Sequence, residues 1–338
     1  MAEVFDVLPG IVLPIREVAS QLASMWKTDE PDSPLSVHAS QMNVVLHFGL
    51  NIKPEPARER FDKLVKFAQR YPCRIIVLCP STAKMGSAME SKLFSQCYIG
   101  ESHRERCCCE ASILRYNPSE IKHLFNQVSV WLEGDLPTYY WFSEVSLEQA
   151  KNYLDFAQKL GVCRCVFDRS NELSELIASG CPDTYSIIDL AEASLLPVRQ
   201  IIGQFLSRYP VKDICDGLKT VRVCYSGASG EGRSLLDWVR SCLDECRSRE
   251  KDMAFQPEFQ LDTTKQDSTH SLEMKFIYDS EHYFVFSRFE DGLRSELKAN
   301  FGESDELVHV PLKSLHLEQA LAEAFFFVDD ATQDSQEL

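Results

Sequence analysis

Long apolar runs are missing from this sequence: none approaches the roughly 20 residues that a membrane-spanning helix requires. Clustered basic residues are missing too. Acidic side chains outnumber basic ones by 51 to 35, a net charge of −16, and no Lys/Arg run is interleaved with aromatics. Nucleic acid and anionic membranes both need such clusters, so neither is expected as a partner. The opening MAEVFDVLPGIVLPIREVAS carries Asp6 and no basic n-region, which argues against a secretory leader and for a cytoplasmic protein. Thirteen cysteines are present, but none forms C-x-x-C, and an odd count without a leader reads as free thiols. The eight histidines, among them His38, His47 and His103, never fall at H-x-x-x-H or H-E-x-x-H spacing. Neither G-x-S-x-G nor a G-x-G-x-x-G after the first apolar strand occurs. Metal-dependent and nucleophile-elbow hydrolysis and dinucleotide binding therefore have no local signature. A Cys–His nucleophile, whose partners meet only in space, stays open. No cofactor and no metal is expected.

What is present is a chain of 338 residues, 44% hydrophobic and 25% charged, long enough for two globular domains. MNVVLHFGL (42–50) and CRIIVLCP (73–80) are nearly continuous apolar runs, as strands buried on both faces would be. Between them Ala57, Phe61, Leu64, Val65 and Ala68 keep helical spacing. Strand, helix and strand in this order predict a crossover unit and parallel pairing. CYIGESHRERCCCEASILRY reads as two strands around a polar turn, and alternation along 107–116 splits the Cys107–Cys109 triplet between two faces, so packing is favoured over metal binding. A helix is predicted over 119–132, an aromatic strand at LPTYYWF (136–142), a helix capped by Ser146 with Gln149, and a strand at CRCVFDRS. His47, inside an apolar run, reads as a satisfied core residue. Residues 1–178 thus form an α/β domain.

Residues 179–338 read as an α+β domain. Helices are predicted at SLLPVRQIIGQFLSRY and SLLDWVRSCLDEC, a strand at TVRVCYSG, and a polar loop at KDMAFQPEFQLDTTKQDSTHS. SLEMKFIYDSEHYFVFSRFEDG has the alternation of a β-hairpin with its turn near Asp279–Ser280. ELVHVPL is a short strand, LEQALAEAFFF a closing helix, and DDATQDSQEL an acidic tail.

GASGEGRS (227–234) is one residue away from a P-loop, with arginine in place of lysine. Strand, glycine turn and helix are the right context for an anion at a helix N-terminus. Gly227, Gly230, Gly232, Arg233 and Ser234 are the candidate cradle. Against nucleotide binding, the arginine fork replaces a compact ammonium and Glu231 adds negative charge inside the loop. A structural turn is the simpler reading. A site for a phosphorylated small molecule is the alternative.

Several motifs carry a family resemblance. RYPCRIIVL (70–78) resembles the R-[HY]-P-[CS]-R strand entry of the glucose-6-phosphate dehydrogenase assembly protein family, OpcA. LPTYYWF is similar to its L-P-x-x-x-W-W strand at Leu136, Pro137 and Trp141, and Glu110 falls at its acidic position. DLAEASLLPVRQ (189–200) resembles a further motif at Asp189, Leu190, Ala191, Pro197 and Arg199, and the glycine loop before LLDWVRSCL occupies a similar place. Glu192, Val198 and Phe142 stand where many members have tryptophan. The resemblance runs from about residue 40 to 330. It implies a non-catalytic protein that promotes assembly and allosteric activation of glucose-6-phosphate dehydrogenase, the first enzyme of the oxidative pentose phosphate route. Arg74, Tyr139, Tyr140, Trp141 and Arg199 are then the candidate interface, since aromatic and arginine anchors dominate interfaces. Core packing and internal ion pairing are the competing readings of the same five residues.

Overall fold

A computed structural model of the chain describes residues 3–24, 40–83, 88–99, 106–179, 185–227, 230–249, 255–264, 269–302 and 304–327. The expected acidic tail, His38, His103, and Ala228–Ser229 of the glycine loop lie outside these residues. The chain divides into two compact units, residues 1–188 with 321–338, and residues 189–320.

The first unit contains α1 (Val4–Val7), β1 (Ile11–Leu13), α2 (Ile15–Ser24), β2 (Met42–Phe48), α3 (Pro54–Arg70), β3 (Cys73–Pro80), β4 (Met89–Ile99) and β5 (Arg106–Tyr116). A 3₁₀ turn at Pro118–Glu120 leads to α4 (Ile121–Ser129), β6 (Thr138–Ser143), α5 (Leu147–Lys159), β7 (Val162–Phe167), α6 (Ser170–Ala178) and β8 (Ser186–Asp189). The sheet order is β1-β4-β5-β3-β2-β6-β7-β8. Strands β5, β3, β2, β6 and β7 are mutually parallel, while β4 and β1 extend the edge antiparallel. The parallel part follows the doubly wound order 3-2-1-4-5, with a topological switch point between β2 and β6. The unit boundary lies at Asp189 and not at 178, because β8 still extends this sheet.

Every residue of β2 is buried, as its unbroken apolar run predicts. Val45, Ile76, Leu78, Leu114, Tyr140 and Phe142 share one core with Leu124 and Val128 of α4 and Ala150, Leu154 and Ala157 of α5. On the other face Tyr139 meets Phe325 and Phe326, which also stack on Phe67 of α3. Cys109 is buried; the side chains of Cys107 and Cys108 lie outside the described residues. Ser146 caps α5 by accepting from the Gln149 N–H at 3.4 Å. The Gln149 side chain does not close the capping box; its Oε1 takes the Leu50 N–H at 3.4 Å instead.

The second unit contains α7 (Leu190–Ser194), α8 (Leu196–Leu206), α9 (Val211–Cys215), β9 (Leu218–Tyr225), α10 (Gly230–Arg249), β10 (Glu258–Thr263), β11 (His270–Tyr278), β12 (Tyr283–Phe289), β13 (Arg294–Asn300) and β14 (Glu306–Pro311). The chain then enters α11 (Leu317–Phe326), which passes into the first unit at Leu321. The sheet order is β10-β9-β11-β12-β13-β14. The β11–β12 hairpin forms as its alternation predicts, burying Leu272, Met274, Phe276, Phe284 and Phe286. Two strands were not legible. β10 arises inside the segment expected to be a loop and pairs parallel with β9 across the α10 crossover. β13 buries only Ser295, Leu297 and Ala299, too small an apolar signal to stand out.

Candidate functional site

At the amino-terminal edge of the parallel sheet sits a buried polar brace. Arg74, at the start of β3, donates from Nε to Glu110 of β5 at 2.6 Å, from Nη2 to Glu133 at 2.5 Å, and from Nη1 to the Trp131 carbonyl at 3.2 Å. Beside it Asn43 of β2 donates to the Glu133 carbonyl at 3.0 Å and accepts from the Glu133 N–H at 2.9 Å, fixing the turn that enters β6. Arg74 and Glu110 are 9% and 1% exposed, so their charges are satisfied inside the chain. Arg74 is a brace and not a surface anchor. The sequence pattern connects neither Asn43 nor Glu133 with Arg74, because the three lie on separate segments far apart along the chain.

The aromatic strand β6 divides in the same way. Tyr140 and Trp141 are fully buried and pack the two sides of the sheet, which corrects their assignment to an interface. Tyr139 stays half-buried against Phe325 and Phe326, and burial pushes its phenol up. The Tyr140 hydroxyl lies 2.7 Å from Nδ1 of His47, whose Nε2 lies 2.8 Å from the Tyr116 hydroxyl. Tyr116 donates onward to Tyr153 at 2.7 Å. Since that hydroxyl spends its proton on Tyr153, it accepts from His47 Nε2–H, and Nδ1 accepts from Tyr140. Burial lowers His47 to about 3, so the ring is neutral. It is the satisfied core histidine that its sequence context predicted.

The carboxyl ends of β2 and β6, where open α/β sheets usually bind ligands, are closed by the backbone. Gly49 donates its N–H to the Ser143 carbonyl at 2.8 Å, and a Cβ on Gly49 would lie 1.9 Å from the Glu144 oxygen. Glu144 itself has φ +56, a left-handed conformation, and its N–H donates to Asp168 Oδ1 at 2.8 Å. Arg60 of α3 donates to Glu144 at 2.7 Å and to Asp168 at 3.4 Å. Burial raises Asp168 to about 6 despite the Arg60 guanidinium. The helix that would face a bound pyrophosphate begins instead with Pro54, which has no N–H to offer.

In the second unit the glycine loop is likewise engaged. Gly227 turns the chain out of β9 at φ +78, and Gly230 opens α10. Gly232 is a close approach: a Cβ there would lie 2.7 Å from the Tyr225 ring. Ser234 is buried and donates to Asp189 at 2.5 Å, while Glu231 pairs with Arg288 at 2.5 Å; Arg233 is exposed on the first turn. Asp189 also caps α7 by accepting the Ala191 N–H at 2.9 Å. Two motifs separated by 45 residues therefore meet in one internal hydrogen bond. Arg199, only 16% exposed, pairs with Glu192 at 3.0 Å. Among the described residues no group of three or more His, Cys, Asp or Glu is placed to hold a metal ion, and no helix is long and apolar enough to cross a membrane.

Residues 64–177 match the sequence model of the OpcA glucose-6-phosphate dehydrogenase assembly family, described as the glucose-6-phosphate dehydrogenase subunit N-terminal domain. This segment is an OpcA-type domain. The match runs from the middle of α3 into α6 and takes in Arg74, Glu110 and Tyr139–Trp141. The motifs at 189–200 and 227–234 lie outside it. No curated protein matches the chain. Among solved structures, a 3-ketoreductase from Actinomadura kijaniata with TDP-benzene and NADP is 9% identical at TM-score 0.45, covering 84% of this chain and 88% of that one. An aldose-aldose oxidoreductase from Caulobacter crescentus with glycerol is 11% identical at TM-score 0.36, with the same coverage. At such identities and TM-scores neither speaks to what this chain does.

Proposed function

We propose that the chain is a non-catalytic, cytoplasmic assembly factor for glucose-6-phosphate dehydrogenase. It raises that enzyme's activity by binding one conformation or oligomeric state more tightly than the others, which is all that population shift requires. The observation that carries this reading is the OpcA-type domain at residues 64–177. The geometry supports it. The crevice at the switch point is occupied by the Glu144 backbone pressed on Gly49, and Ser234 and Glu231 of the glycine loop are spent on Asp189 and Arg288. Of the five anchors named from sequence, Tyr139 and Arg199 keep partial exposure and remain the candidates for touching the dehydrogenase. Adding the purified chain to its host's dehydrogenase is expected to lower the KM for glucose 6-phosphate. An unchanged KM and turnover at saturating chain would remove the activating role.

A further inference from the structure

With the switch point closed, the open space at the carboxyl edge of the first sheet lies one strand over. A cavity of about 330 Å³ sits beyond the ends of β2, β3 and β5. Its walls include Ile52 and Pro54 after β2, Cys79 and Ser81 at the end of β3, Arg115 of β5, and Glu3 from the segment before α1. Burial pushes the Cys79 thiol up, so it forms wall and is no nucleophile.

The polar groups of this cavity are arranged around an anion, and the chain supplies one itself. Arg115, 12% exposed, holds the Glu3 carboxylate at 2.9 Å and Glu90 at 3.2 Å. Ser81 donates its hydroxyl to the same Glu3 carboxylate at 3.0 Å. The Arg115 Nε is buried with no hydrogen-bond partner among the described residues, although a guanidinium is a fork whose donors are costly to leave unmet. Glu3 is 30% exposed and is carried on a short segment whose carbonyls, at Phe5 and Leu8, are gripped by Lys92 Nζ at 2.6 and 3.1 Å. Glu3 also forms a capping box with Asp6 at the start of α1, its N–H donating to the Asp6 carboxylate at 3.2 Å, so release of its carboxylate gives up one cap contact while Lys92 still holds α1.

We propose that this cavity binds a small phosphate monoester, whose phosphoryl group takes the place of the Glu3 carboxylate on Arg115 and Ser81. Glu3 is then a built-in competitor, and ligand entry leaves Arg115 shared only with Glu90. The site shares no residue with the glycine loop.

The test uses inorganic phosphate as probe, titrated calorimetrically at constant ionic strength against chloride. Glu3→Gln is expected to bind phosphate about tenfold more tightly than the parent chain, a ~1.4 kcal/mol gain from removing the competitor. Adding Ser81→Ala or Arg115→Lys to Glu3→Gln is expected to reverse that gain. No heat with Glu3→Gln, or equal binding in all three variants, overturns the proposal. Should Glu3→Gln fail to fold, the parent chain decides: its melting midpoint rises with phosphate and that of Ser81→Ala does not. Equal midpoints overturn the proposal equally.

Discussion

His47 is expected to make a destabilising contribution to the first unit on acidification, opposite in sign to that of the raised Asp168 carboxyl. The ring is 1% exposed, has Tyr153 edge-on at a centroid distance of 4.3 Å, and is bonded on both nitrogens to tyrosine hydroxyls. Protonating it puts a hydrogen on Nδ1 against the Tyr140 O–H and a charge among aromatic rings. Burial accordingly lowers it from 6.5 to about 3. The sign follows from linkage. Below pH 6.5 the unfolded chain binds a proton that the folded chain refuses, so stability present above 6.5 is lost as the pH falls toward 3. The loss is about 1.4 kcal/mol per pH unit, and about 5 kcal/mol over the full interval. Urea unfolding followed by the fluorescence of Trp131 and Trp141, both buried in this unit, measures it. His47→Gln removes the titrating group while keeping a donor and an acceptor, so the difference between the two chains isolates His47 from the other histidines. That difference is expected to be constant above pH 6.5 and to shrink by one proton's slope below it. Parallel pH profiles for the two chains would refute the buried-neutral assignment.

Gly49→Ala is expected to cost about 3 kcal/mol, at the upper end for overpacking, because its Cβ meets a backbone oxygen that cannot move aside; the same urea experiment reads it. Glu110→Ala leaves Arg74 buried beside Glu133 alone and is expected to cost about 3–5 kcal/mol, with Glu110→Gln losing less. Ser234→Ala withdraws a donor from the buried Asp189 carboxylate and is expected to cost about 1.5–3 kcal/mol, seen in the Trp238 signal of the second unit. If the glycine loop instead gripped a phosphate in preference to Asp189, Ser234→Ala would weaken phosphate binding and leave stability nearly unchanged.

Local patterns carried much of the fold. The continuous apolar runs at 42–48 and 73–80, with an amphipathic helix between, suffice for a parallel crossover, and the alternation at 271–289 suffices for a hairpin. What stayed hidden has physical causes. β10 is short and partly polar, and it becomes a strand only because β9 offers a parallel edge. The early elements α1 and β1 are too short for periodicity to show. The motif residues were visible, yet their roles were not. Arg74 reads as an interface anchor and Ser234 as part of an anion cradle until the fold brings them to hydrogen-bonding distance of Glu110 and Asp189. Asp168, Arg60 and Arg115 gave no local signal, since each acquires its environment only from strand ends that are distant in sequence.

The central claim is partnership with glucose-6-phosphate dehydrogenase, and sedimentation velocity on the two purified proteins tests it most directly. A heavier boundary containing both chains, accompanied by a change in the dehydrogenase's own oligomer distribution, is the predicted result. Two boundaries that sediment at the rates of the separate proteins at every mixing ratio would contradict it.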